Sequence, residues 1–66
     1  MKELKKAVNQ YAAIKDNYSE NIRDARAELA KRIVDLLIAI LGVDRQTACK
    51  MMFTKFNEVQ AIVNLY

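Results

Sequence analysis

An all-α fold of three to four helices is what this 66-residue sequence predicts, on three observations. Gly42 is the only glycine and there is no proline, so the chain before it carries no helix breaker. Apolar or small side chains recur at Leu4, Val8, Tyr11, Ile14, Tyr18, Ile22, Ala25, Leu29, Ile33, Leu36 and Ile40. That spacing averages about 3.6 residues, the α-helical repeat, and no two-residue alternation competes with it. The composition is 53% apolar, too greasy for a disordered chain, and the length suits a single small domain over residues 1–66.

The first element is a basic amphipathic helix within residues 1–18. Over residues 1–15, Lys2, Lys5, Lys6 and Lys15 face only Glu3, and this stretch accounts for the entire net charge of +3. A break is expected at 16–19, where poor helix formers cluster. Asn17 with Glu20 has capping-box spacing, and Ser19 is a second possible cap. From about 19 to 41 runs a long amphipathic helix. Its first half is charged, with Glu28 and Arg32 at i,i+4 spacing; its second half, Ile33 to Leu41, is apolar nearly all round and forms the core.

Gly42 suits the left-handed residue that closes a helix, and Asp44 the N-cap of the next. Two short helices are expected after it, at 45–53 and 57–66, with Asn57 and Gln60 at capping-box spacing. Small Ala48 lets the first of these approach the long helix, while Met51, Met52 and Val59 fill the space between.

Several function classes are disfavoured by what is missing. Without histidine there is no His-based triad and no Cys/His metal site, and a single cysteine forms no internal disulfide. Cys49, mid-helix and without a base, reads as a core or boundary residue. The row Asp16, Glu20, Asp24 and Glu28 reads as a solvated stripe beside Arg23, Arg26, Lys31 and Arg32. The expectation is therefore a non-enzyme without cofactor, metal or small-molecule ligand. The longest apolar run, Leu36 to Leu41, is far below the roughly 20 residues that span a bilayer. With no apolar N-terminal leader and one free thiol, a cytoplasmic setting and no membrane partner are expected.

Leu41-Gly42-Val43, Ala48, Met51-Met52, Asn57, Val59, Ile62-Val63 and Leu65-Tyr66 follow a pattern over residues 29–66 that resembles the UBA-like three-helix module, also found at the N-terminus of elongation factor Ts. The resemblance implies a compact three-helix unit over 19–66 and a protein-binding role. Val43 stands where ubiquitin-binding members carry an aromatic. A shorter stretch, Leu41 to Thr47, resembles the turn and early recognition helix of repressor-type helix-turn-helix proteins. That implies a DNA-binding regulator with Arg45, Gln46, Thr47 and Lys50 in the major groove and the basic N-terminal segment on phosphates.

The apolar stripe itself points to interaction. As one helix, residues 1–41 would reach about 60 Å, and the rest of the chain as helices at most about 35 Å. Part of the stripe must meet another chain, or the first helix must fold back. The leading expectation is a small protein-interaction module, an adaptor or inhibitor that self-associates. Its surfaces are Leu4, Val8, Tyr11 and Tyr18, with Gly42, Val43, Leu65 and Tyr66 as a second patch.

Overall fold

A computed structural model, which describes residues 2–65, resolves the choice between a projecting and a folded-back first helix. Four helices follow one another: α1 (Lys2–Ile14), α2 (Glu20–Leu41), α3 (Arg45–Thr54) and α4 (Phe56–Val63). The all-α class is as expected. The uninterrupted apolar phase across residues 4–40 does not mean one rod, because the chain reverses between α1 and α2.

Local hydrogen bonds make that reversal. The Lys15 N–H donates to the Tyr11 carbonyl at 2.8 Å and the Asn17 N–H to that of Ile14 at 3.0 Å. The Asn17 side-chain oxygen then accepts from the Ser19 N–H at 3.0 Å. Ser19, extended at φ −62° and ψ 139°, caps α2 by accepting from the Asn21 N–H. The break falls where the sequence places it, but Ser19 is the cap and Asn17 shapes the turn, in place of an Asn17–Glu20 box.

At the far end of α2, Gly42 adopts φ 69° and donates its N–H to the Ile38 carbonyl. A Cβ there would touch nothing, so glycine avoids only the backbone strain of the left-handed region, about 1–2 kcal/mol. Asp44 caps α3 as expected, its carboxylate accepting from the Thr47 N–H at 2.9 Å. The Thr47 hydroxyl, and after it the Thr47 N–H, hold that carboxyl below the usual aspartate range. The stabilisation is complete above that usual range and is lost as pH falls through the lowered folded-state value. Asp44→Asn keeps a capping oxygen but does not titrate. Its melting temperature is expected to fall less than the wild type's between about pH 6 and about pH 2. Equal falls in thermal melts of the two proteins would show that this cap does not titrate with folding.

Only Lys55 separates α3 from α4, and α4 begins at Phe56 with no side-chain cap. The expected capping by Asn57 is therefore replaced by a direct kink in which the Lys55 N–H still reaches the Met51 carbonyl at 3.2 Å. The last helix also stops earlier than the expected 66, at Val63.

The four helices form a closed ring. α1 and α3 each pack on both α2 and α4, while the backbones of opposite helices stay apart among the described residues. Every helix feeds one core: Leu4, Ala7 and Val8 from α1, Ala30, Ile33, Val34 and Leu37 from α2, Ala48 and Met52 from α3, and Phe56, Val59 and Val63 from α4. No polar or charged residue is buried among the described residues. The Tyr11 ring meets Phe56 edge-on at 5.3 Å, and the Lys15 ammonium lies 5.6 Å from the other's ring centre. Across the α1–α4 contact, the side-chain amides of Asn9 and Asn64 donate to each other at 2.9 and 3.3 Å, and Gln60 donates to Asn9 at 3.4 Å. The longest dimension is 33 Å, little more than half the length of the rod considered above.

Candidate functional site

Folding back of α1 redistributes the residues expected to bind a partner. Leu4 and Val8 are 1% and 0% exposed, so they are core and not a docking stripe. The short Lys15–Ser19 turn lays α1 against α2, and that packing removes both side chains from solvent. Tyr11 is half-buried at the core's edge. Tyr18 alone of the four is on the surface, its ring 5.0 Å from the Arg26 guanidinium.

In the second expected patch, Gly42 and Leu65 are exposed and Val43 is half-buried against the core; Tyr66 lies outside the described residues. Leu41 and Ile62, both about half exposed, border a small apolar depression over Leu37, Met51 and Val59. Ile62 sits on the outer side of α4.

The residues of the DNA-binding alternative are all exposed on the first turns of α3. Arg45 is not free, since its guanidinium bonds the Asp35 carboxylate at 3.1 Å. The Thr47 N–H is spent on the Asp44 cap.

A different surface offers another candidate. Between α2 and α3, closed by Tyr11 of α1, lies an open groove of about 520 Å³. Its floor is Ala27, Ala30, Val34 and Cys49, and one wall is Phe53, 63% exposed. Small residues on α2 keep the floor low, so the phenyl ring stands clear of it. Arg23, Arg26, Lys31 and Arg45 rim the groove, and no acidic residue lines it. The ion pairs among the described residues are Lys15–Asp16 and Arg45–Asp35, which leaves Arg23, Arg26 and Lys31 without an acidic partner. The Arg26 Nε is shielded from solvent and donates to nothing.

Sequence reasoning gave Phe53 no role and passed over this groove. A signal was present: α3 carries Ala48, Cys49, Met51, Met52 and Phe53, more apolar breadth than one face of a ten-residue helix needs. Ala48 and Met52 turn inward, which leaves Cys49 and Phe53 one step round the helix on the groove.

No protein-family model matches the chain, and no curated protein or solved structure is significantly similar to it. No helix among the described residues is long and apolar enough to cross a membrane.

Proposed function

We propose that this protein is a non-enzymatic protein-interaction module, an adaptor or inhibitor, that docks a partner segment in the α2–α3 groove. The observation that carries the reading is Phe53. A phenylalanine 63% exposed on the wall of this groove leaves a large apolar ring in water beside a basic rim. Aromatic side chains in such positions are common anchors of binding energy. The likeness of residues 29–66 to UBA-like modules points to the same class of role.

The DNA-binding alternative is less well supported, since Arg45 is tied to Asp35 and α2 exposes the carboxylates Glu20, Asp24 and Glu28. Those carboxylates would repel a phosphate backbone laid along the helix.

Selection from a random-peptide phage library against the whole protein tests the docking reading. Peptides recovered are expected to bind Phe53→Ser about tenfold or more weakly, the loss of roughly 1.4 kcal/mol or more typical of an anchor. Because Phe53 is exposed, the variant's melting temperature should stay near the wild type's. Equal affinity for both proteins, or no recoverable peptide, would refute docking at this groove.

A further inference from the structure

Resting on that docking reading, we infer that the groove's occupant is an acidic protein segment. In it, one aromatic or aliphatic side chain enters against Phe53, and flanking Asp or Glu carboxylates lie along Arg23, Arg26 and Lys31. Charge complementarity is the main ground. Four cationic side chains rim the groove with no carboxylate among its lining, and only Arg45 has an anionic partner.

Arg26 adds a geometric ground. Its guanidinium is held 5.0 Å from the centre of the Tyr18 ring, which orients it, and it has no ion-pair partner among the described residues. A planar guanidinium already fixed against an aromatic face is suited to a carboxylate, because little side-chain freedom remains to be lost on pairing. The apolar floor of Ala27, Ala30 and Val34 offers such a segment no hydrogen-bonding groups of its own side chains, so the anchor must be apolar and the polarity must sit at the rim.

The neighbouring charges limit the size of the anion. Glu20, Asp24 and Glu28 are exposed on α2 and border the groove's basic rim. A short acidic segment confined to the groove avoids them, whereas a long polyanion crossing the helix would meet them.

The peptides recovered from the phage selection supply the test, with a mixed-sequence single-stranded oligonucleotide as the competing probe. Acidic residues are expected to be enriched around one Phe, Tyr, Trp or Leu. The double variant Arg23→Glu, Lys31→Glu changes two exposed rim residues and should keep the fold; it is expected to weaken these peptides about tenfold or more. Arg26→Gln should weaken them as well, and raising salt to about 1 M should reduce the wild type's advantage. Phe53-dependent peptides that are neutral or basic would overturn this inference and leave the docking reading standing. Peptides indifferent to Phe53→Ser would instead remove the docking reading itself. Tighter binding of the oligonucleotide than of any acidic peptide would assign the groove to nucleic acid and overturn the inference. So would a doubled molar mass abolished by Arg23→Glu, Lys31→Glu, which would assign the groove to a second copy of the chain.

Discussion

Val8→Asp is expected to unfold the protein. Val8 is 0% exposed in the middle of α1, within a core that contains no buried polar group among the described residues. An aspartate there has no partner and must be protonated to stay, which near pH 7 costs about 4 kcal/mol. The apolar burial that the valine supplied, about 2 kcal/mol, is lost as well. A domain of this size rarely has more than about 3–5 kcal/mol in hand. Far-UV circular dichroism should therefore show loss of the cooperative melt. Tyr18→Asp is the control, since Tyr18 is 77% exposed and its replacement should leave folding nearly intact. A cooperative Val8→Asp melt within a few degrees of the wild type would mean that α1 is not part of the core.

Leu37→Ala should be nearly as damaging by a different route. Leu37 is 1% exposed on the helix that packs against both α1 and α3. Truncating a buried leucine removes its transfer energy and leaves a cavity, about 2–5 kcal/mol in all. The adjoining depression under Leu41 and Ile62 allows some inward settling, which places the effect near about 3 kcal/mol. For a chain of this length that is a fall in melting temperature on the order of 15 °C. Leu65→Ala, at a side chain 84% exposed, should change stability by under about 0.5 kcal/mol. Comparable melts for the Leu37 and Leu65 variants would contradict the assigned core.

What the sequence makes legible here is local. The end of α2 at Leu41, the left-handed Gly42 and the Asp44 cap depend on residues within a few positions of one another, and all three are found. The break before α2 is legible for the same reason, although the choice between Asn17 and Ser19 as cap depends on backbone angles that the residue types do not dictate. Periodicity identifies an apolar face but not what covers it. Leu4 and Val8 share one phase with Ile33 and Ile40, and the same pattern is compatible with a rod awaiting a partner or a helix folded on its neighbour. The structure chooses the second, with Leu4 and Val8 in the core.

The groove was hidden for a related reason. Arg23, Arg26 and Lys31 belong to α2, Arg45 and Phe53 to α3, and Tyr11 to α1. Their charges look like ordinary solvated residues along each helix, and only the packing of α3 across α2 gathers them. Periodicity does not separate the exposed Phe53 and Ile62 from their covered apolar neighbours, because short helices carry too few turns to distinguish the covered face from the next.

The amide pair between Asn9 and Asn64 bridges positions 55 apart in the chain. α1–α2, α2–α3 and α3–α4 are contacts between successive helices across short turns, whereas α1–α4 joins the two extremes of the described chain. Three sides of the ring can thus assemble as neighbouring hairpins at small entropic expense, and the fourth requires closing the largest loop. The α1–α4 edge acts as a clasp, because α1 finds its second wall only when the final helix is in place.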